Sequence, residues 1–328
     1  MMTINDFSKK QILFAFLNLG EKLSFKNDNI IIKDKNGKVK HQSTCYRLFA
    51  VFIVGHITIT TGLIQRSHKF GFPIFFMTPS LKLYDIMGNK AEGNTLLRQH
   101  QYTYSSSSDI DIAKYLIINK ITNQRSTLNM IRHKDTVLKT AITQLDEYLS
   151  AISEYNGNLT GLLGYEGNAA RIYFKNLFAG VGWNRRLPRI KPDYINTTLD
   201  IGYSILFNII DSLLSSYGFD TYCGVLHKQF YMRKSLVCDI IEPFRCIIDK
   251  QIIKSIHLSQ FKPEDFLVDN NRYYLNWEKN SYYIKILLTA ILEEKENIFL
   301  YVQSYYRSFM KNKPISAYPF YDIKGAVR

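Results

Sequence analysis

The chain has few of the features that mark secreted, disulfide-stabilised or membrane-embedded proteins. It has four cysteines in 328 residues, so we expect free thiols in a reducing compartment rather than a disulfide framework. The apolar stretch 45–63 is interrupted by Arg47, His56 and several threonines, and it is therefore a poor candidate for a membrane span. At the N-terminus, Asp6 and Lys9 precede a mixed segment without a small-residue cleavage site. These absences predict a cytoplasmic protein with no membrane association.

Positive charge, in contrast, is abundant. The chain has 42 Lys and Arg against 28 Asp and Glu, a formal net charge of +14. Such an excess favours a polyanionic partner, because binding a nucleic acid releases the counterions condensed on it. Heavy use of Lys, Ile, Asn and Tyr is also what a biased coding composition would give. Between these two explanations we favour a nucleic-acid surface.

Hydrophobic periodicity divides the chain into a β-rich part and a helical part. Residues 11–87 contain short β-branched and aromatic runs, and Asn36-Gly37 predicts a type I′ hairpin. The polar run 105–108 then precedes a helical pattern that Ser108 or Asp109 can cap. We therefore predict an α+β fold with a small N-terminal β-rich domain, residues 1–104, and a linker, residues 105–108.

The remainder is predicted to be a larger, all-helical catalytic domain, residues 109–313, followed by an extended tail, residues 314–328. The clearest core helix is 200–217, which has apolar residues at helical spacing and stops at Gly218. In the predicted tail, prolines at 314 and 319 favour extended backbone.

Three short blocks carry groups that can bind a metal. Glu166 lies within Gly164–Arg171, His227 ends Gly224-Val225-Leu226-His227, and Asp239 and Glu242 lie within Asp239–Arg245. Two carboxylates and an imidazole from separate segments can hold a divalent cation that polarises a phosphate. Oxygen ligands with one imidazole favour Mg²⁺ or Mn²⁺. The pattern thus predicts a site that processes phosphodiesters.

Each block also has a purely structural explanation. The glycines beside Glu166 predict a tight turn into a helix, with the carboxylate at the helix start, where the macrodipole favours acids. His227 taken alone is typical of a hydrogen-bonded core histidine. Asp239 and Glu242 are spaced i, i+3, and we expect Pro243 to kink or restart the helix there. Arg245 is interpreted as the ion-pair partner that orients Glu242.

Zinc is an alternative metal that the same region allows. Cys223, His227, Cys238 and Cys246 form a possible Cys₃His set. No CxxC pair is present, however, and the spacing of the last two cysteines is not typical of zinc modules. Buried apolar thiols are the preferred interpretation of these cysteines.

The three blocks, together with Lys120–Arg125 and Leu199–Tyr203, resemble in residues and order the motifs of the CRISPR-associated integrases. Members of that family are the larger, catalytic subunit of the machinery that inserts new spacers into a CRISPR array. The resemblance implies metal ligation by Glu166, His227 and Glu242, with Asp239 as a nearby acid that positions or supplements them. It also implies dimerisation through the β-rich domain and a small ferredoxin-like partner subunit that bridges two integrase dimers.

The predicted reaction is attack of a 3′-hydroxyl of incoming double-stranded DNA, the prespacer, on a phosphodiester at the CRISPR repeat boundary. Insertion into both strands needs two sites, so the chemistry also predicts a homodimer. Two alternatives remain: a metal-dependent nuclease acting on branched or single-stranded DNA, and a non-catalytic DNA-binding scaffold.

Two cationic clusters are predicted DNA contacts. Their residues are Arg185, Arg186 and Arg189 beside Trp183, and Lys228, Arg233 and Lys234 after His227.

Overall fold

The computed structural model describes residues 3–55, 58–79, 81–88, 93–107, 109–325 and 327. The chain forms two compact units, Met1–Glu92 and Gly93–Arg328. The first contains most of the strands and the second most of the helices, so the predicted α+β class is confirmed. The proposed cap Ser108 lies outside the described residues.

The first unit is built on two sheets. Strands β1, β5, β6 and β7 form one sheet in that order, in which β1 and β6 run parallel to the central β5 and β7 is antiparallel. Strands β2, β3 and β4 form an antiparallel meander. The elements are α1 (Ile4–Ser8), β1 (Gln11–Phe16), β2 (Lys22–Lys26), β3 (Asn29–Lys33), β4 (Val39–Thr44), β5 (Leu48–Val54), α2 (Thr61–Phe70), β6 (Ile74–Met77) and β7 (Leu83–Met87).

Burial follows the strand pattern of this unit. Every residue of β5 is buried, as expected for a central strand covered on both faces. The predicted hairpin lies between β3 and β4, but the prediction of a type I′ turn is wrong. Of its two central residues only Gly37 has a positive φ, 83°, whereas type I′ needs two. Instead the Asp34 carboxylate accepts hydrogen bonds from the backbone N–H groups of Asn36 and Lys38.

In residues 93–107, 109–325 and 327, the regular structure of the second unit is helical apart from one hairpin, which periodicity did not predict. Its long central helix, α7, ends at Gly218 in the left-handed conformation, as predicted. No helix of the described chain is long and apolar enough to cross a membrane. The elements are α3 (Thr95–Ser105), α4 (Asp111–Asn129), α5 (Thr136–Glu154), α6 (Leu159–Leu177), α7 (Tyr194–Tyr217), α8 (Ser235–Ile241), α9 (Arg245–His257), β8 (Phe266–Asp269), β9 (Arg272–Leu275), α10 (Trp277–Glu293) and α11 (Lys295–Met310).

The division between the units falls before α3 rather than in the serine run. Asn94 Nδ2 donates to the Tyr217 carbonyl over 3.0 Å, and Gln101 Nε2 donates to the Asp220 carbonyl over 3.0 Å. Leu97 is fully buried on the same helix. These contacts bind α3 to the end of α7, so residues 93–104 belong to the helical unit. Helix α3 ends at Ser105, so the described part of the serine run, residues 105–107, lies at the C-terminus of this helix.

Residues 318–323 of the segment predicted as an extended tail are packed in the helical core. Asn119 on α4 donates to the Tyr321 carbonyl and accepts from the Tyr321 N–H at 3.0 Å. Asn123, one turn further along α4, accepts from the Ile323 N–H at 2.8 Å. Tyr321 is fully buried. The two asparagine amides supply hydrogen-bond partners for buried backbone that belongs to no helix or strand, and residues 318–323 therefore pack against α4.

Candidate active site

Two of the predicted acids meet at a buried lysine. Lys120 lies in the middle of α4 and is 8% exposed. Its ammonium contacts Glu166 Oε1, from α6, and lies 2.6 Å from Glu242 Oε2. In the sequence, Lys120 is only one residue of the motif Lys120–Arg125, and no role was predicted for it. The feature that could have indicated a role is a lysine whose neighbours in α4 are mostly buried.

Glu166 reaches this cluster from the middle of its helix, not from the start. Helix α6 begins after Asn158, whose side chain accepts a hydrogen bond from the Gly161 N–H. Glu166 is therefore well inside α6, and the prediction of a helix-start acid is wrong. The turn that the flanking glycines suggested is absent because Gly164 and Gly167 are both helical residues. The macrodipole explanation for this carboxylate falls with it.

Glu242 lies at the interruption of the helix that Pro243 causes. Helix α8 ends at Ile241, a single 3₁₀ turn spans Glu242–Phe244, and α9 begins at Arg245, so the predicted kink is confirmed. Arg245 Nε lies 3.0 Å from Glu242 Oε2, which confirms the predicted ion pair. Burial alone would raise the pKa of Glu242, but Arg245 and Lys120 outweigh it and lower the pKa to about 2.

Asp239 faces the backbone of the histidine block rather than Lys120. Its Oδ2 accepts from the N–H groups of Val225 and Leu226 at 2.6 and 3.0 Å. Its Oδ1 accepts from the His227 N–H at 2.9 Å and lies 2.7 Å from His227 Nδ1. Both oxygens of this fully buried carboxylate are thus engaged within the protein.

Gly224 makes this arrangement possible. A Cβ at position 224 would lie 2.6 Å from Asp239 Oδ2 and 2.8 Å from Ser235 Cβ, closer than packed atoms allow. Any larger residue would push the 225–227 backbone away from Asp239. The glycine of the Gly224–His227 block is therefore explained by the close approach of this carboxylate.

The geometry fixes which nitrogen of His227 can bind a metal. An ionised carboxylate can only accept hydrogen bonds, so Nδ1 carries the hydrogen that points at Asp239. Nε2 then presents its lone pair, in the arrangement by which a carboxylate orients a metal-binding histidine. Asp239 therefore contacts both the backbone and the ring of His227.

An aromatic and ionic layer supports the acids from behind. The Tyr203 ring lies 4.6 Å from the Arg245 guanidinium and 5.5 Å from that of Arg186. Its hydroxyl donates to buried Asp249, whose other oxygen accepts from Tyr173 at 3.0 Å. Burial raises the pKa of Asp249 to about 6, against the lowering effect of the two tyrosine hydrogen bonds. This layer holds Arg245, and through it Glu242, in place.

The six predicted DNA contacts separate into exposed and internally paired cations. Arg185, Arg189 and Lys228 are exposed. Arg186 instead forms an ion pair with Asp200 and donates to Asn196 Oδ1 at 3.0 Å. Lys234 lies 2.7 Å from buried Asp211. Arg233 is half-buried. Arg186 and Lys234 are therefore occupied inside the protein, because each lies beside an acid that needs a counterion.

Aromatic side chains accompany both clusters in different ways. Trp183 packs against Phe174 and Phe178, with ring centroids 5.9 and 5.2 Å away. In contrast, Phe230, Tyr231 and Met232 are 74%, 86% and 76% exposed at the tip of the loop after His227. That loop is closed at its base by the Ser235 hydroxyl, which donates to the Lys228 carbonyl over 3.1 Å.

The donor set suits a divalent metal, but the arrangement does not yet form a ligand cage. In the part of the chain that is described, no three His, Cys, Asp or Glu side chains are grouped around one point as metal ligands. Between Glu166 and Glu242 lies the Lys120 ammonium. Two of the three cysteines of the zinc alternative have other partners: Cys223 Sγ donates to the Gln101 carbonyl and Cys246 Sγ donates to the Pro243 carbonyl.

Comparison with known proteins identifies relatives of the chain. The family model described as CRISPR associated protein Cas1 matches residues 16–287. A protein of Thermodesulfovibrio yellowstonii named CRISPR-associated endonuclease Cas1 1 is 32% identical over 228 residues, covering 67% of this chain and 72% of the relative.

Two solved structures share the fold. A Cas6-RT-Cas1--Cas2 complex contains a chain that matches 96% of this one with a TM-score of 0.79 and 22% identity. The present chain spans only 36% of that longer chain. A casposase bound to integration product matches with a TM-score of 0.78 and 19% identity, covering 96% of this chain and 95% of the casposase. At these identities the likeness concerns the fold.

Proposed function

The chain belongs to the Cas1 family of CRISPR-associated proteins, and from that premise we propose that it is a metal-dependent DNA integrase and endonuclease. In this proposal it inserts new spacers into a CRISPR array by transesterification. The observation that carries the proposal is that Glu166 and Glu242 meet at the buried Lys120 ammonium. Beside this, Asp239 holds both the backbone N–H and the ring of His227.

Glu166, Glu242 and Nε2 of His227 are the groups that would hold Mg²⁺ or Mn²⁺. The ion would polarise the phosphodiester and stabilise the charge that develops as a 3′-hydroxyl attacks. Asp239 keeps the His227 imidazole in the ligating tautomer, and Arg245 keeps Glu242 ionised and oriented. No side chain is proposed to form a covalent intermediate, because a DNA hydroxyl is itself the nucleophile.

DNA would be held by the exposed cations beside these groups. We propose that Arg185, Arg189 and Lys228, which are exposed, contact phosphates, and that Arg233 is a weaker candidate because it is half-buried. Phe230 and Tyr231 extend from the loop that begins at His227, where exposed aromatic rings can stack on unpaired bases. We no longer propose direct DNA contacts for Arg186 and Lys234, whose charges are paired with Asp200 and Asp211.

The neighbouring arginines 185 and 186 provide a matched test of the DNA surface. Arg185→Ala is expected to flatten the slope of log affinity against log salt by about 0.9, the value for one phosphate contact on duplex DNA. Its thermal stability should be unchanged. Arg186→Ala should leave the slope unchanged and lower stability, because Asp200 and Asn196 lose their partner. Fluorescence anisotropy at several salt concentrations and thermal unfolding measure the two effects. The reverse pattern would place Arg186, not Arg185, on DNA.

Assembly is the part of the proposal that concerns the first unit. Joining DNA to both strands requires two active sites at a fixed separation, so we propose a homodimer formed through the β-rich unit. A small ferredoxin-like subunit would bridge two such dimers. A Cas6-RT-Cas1--Cas2 complex contains a chain of the same fold, which supports a CRISPR-associated partner subunit.

A fragment comprising residues 93–328 tests the role of the first unit. It keeps α3 and every proposed metal ligand, whereas a fragment that begins at 109 would leave the end of α7 without its α3 partners. We expect the 93–328 fragment to bind Mn²⁺, to sediment as a monomer and to fail in paired integration. Analytical ultracentrifugation of both chains is the measurement. A fragment that dimerises as tightly as the full chain would place the interface in the helical unit.

The proposed function itself is tested with a supercoiled plasmid carrying a CRISPR repeat and a prespacer with free 3′ ends. Covalent joining of prespacer to plasmid supports the integrase. Cleavage without joining would favour the nuclease alternative, in which water replaces the DNA hydroxyl. Retention of DNA without either product would favour a non-catalytic scaffold.

A further inference from the structure

The cation that neutralises the two ligand carboxylates is built into the chain. Lys120 is well buried, and its ammonium contacts Glu166 and Glu242 simultaneously. Arg245 adds a second positive charge on Glu242. Two carboxylates thus face two fixed cations, and the group is already balanced in charge. A divalent ion added to this arrangement would leave an excess of positive charge in a poorly solvated place.

Space leads to the same conclusion as charge. Mg²⁺ binds its oxygen ligands at about 2.0–2.1 Å, so an ion held by Glu166 Oε1 and Glu242 Oε2 would need the place that the ammonium now holds. The Lys120 ammonium is 2.6 Å from Glu242 Oε2 and also contacts Glu166. An ion and an ammonium cannot both lie between the same two oxygens.

We propose that Lys120 is the resident counterion of the metal site: it holds Glu166 and Glu242 together in the metal-free protein and is displaced when a divalent ion binds. Lys120 is therefore a positioning residue that sets metal affinity. Its ammonium keeps the Glu166 and Glu242 carboxylates from moving apart before metal binds. Displacing this ammonium costs free energy and therefore lowers the affinity for metal. This inference rests on the proposed metal-dependent function.

Mn²⁺ titration of the full chain tests the inference. Lys120→Met keeps the length of the side chain and removes its charge. We expect Mn²⁺ to bind this variant at least about tenfold more tightly than wild type, since a nearby positive charge opposes a bound cation by one or more factors of ten. The metal-free variant should melt at a lower temperature, and Mn²⁺ should raise its melting temperature by more than that of wild type.

Two controls separate this inference from the proposed function. Lys114→Met removes a lysine of the same helix whose ammonium contacts the Tyr155 carbonyl instead of an acid, and it should bind Mn²⁺ as wild type does. Glu242→Gln should abolish binding. If wild type binds no Mn²⁺, the proposed function and the inference both fail. If Glu242→Gln abolishes binding but Lys120→Met binds Mn²⁺ no more tightly than wild type, the inference alone is overturned.

A measurement on the unaltered chain covers the case in which Lys120→Met does not fold. An amine-acetylating reagent followed by mass spectrometry reports the access of each lysine to solvent. Without metal, Lys120 should be protected. Saturating Mn²⁺ should increase its acetylation, whereas the acetylation of Lys114 should not change. Protection of Lys120 that persists at saturating Mn²⁺ would overturn the displacement.

Discussion

Glu166→Ala, His227→Ala and Glu242→Ala are each expected to abolish joining of prespacer to plasmid while DNA binding survives. The expected loss is about a thousandfold or more, because a catalytic metal contributes several kilocalories per mole of charge stabilisation and each 1.36 kcal/mol is a factor of ten in rate. DNA affinity should persist because the exposed cations lie on other side chains. The plasmid assay and an anisotropy titration measure the two properties on the same preparations.

Glu154→Ala provides the matched control for these variants. Glu154 is an exposed acid at the end of α5, and its loss should change neither joining nor binding. Glu242→Gln adds an uncharged side chain of nearly equal size and separates the loss of a ligand from the loss of packing around Lys120 and Arg245. Full joining by His227→Ala in Mg²⁺ or Mn²⁺ would refute the metal assignment.

Asp239→Asn is expected to weaken both the fold and the reaction. The carboxylate accepts four hydrogen bonds from buried or half-buried donors, and two of them fall on each oxygen. Whichever way an amide is oriented, its NH₂ group would face two donors. We expect the free energy of unfolding to fall by about 2–3 kcal/mol, the cost of buried polar groups left unpaired.

The effect of Asp239→Asn on joining distinguishes its two possible roles. As a residue that only positions His227, it should reduce joining about 10- to 100-fold, less than Glu242→Gln does. Urea denaturation and joining at a temperature where the variant is folded provide the measurements. A loss equal to that of Glu242→Gln would make Asp239 a direct ligand, and unchanged joining would show that the tautomer of His227 does not depend on it.

The motif blocks predicted which acids and which imidazole form the candidate site, but not where each group lies in the fold. Pro243 correctly predicted the break after Ile241, because proline acts on the backbone within one turn. The same local logic failed for Glu166. Its flanking glycines indicated a helix start, yet Asn158 begins α6 more than a turn earlier. Glycine permits a turn without requiring one.

Arg186 and Lys234 show a second limit of prediction from a single sequence. Both lie in clusters of positive charge, the pattern of a DNA surface, and both are paired with acids. Asp211 is 23 residues from Lys234, and Asp200 is 14 residues from Arg186. A cationic run does not reveal which of its members have such a partner.

The sequence by itself determined the α+β class and the family, and it predicted the acids and the imidazole of the candidate site, because periodicity and short motifs are properties of neighbouring residues. Only the tertiary structure decided that α3 belongs to the helical unit, that residues 318–323 are packed in the core, and that Asp239 contacts the backbone and Nδ1 of His227. It also decided that Lys120 stands between Glu166 and Glu242, since that contact joins residues 46 apart on different helices. Ion pairs and buried hydrogen bonds depend on distance in space, and the chain sets that distance only when it folds.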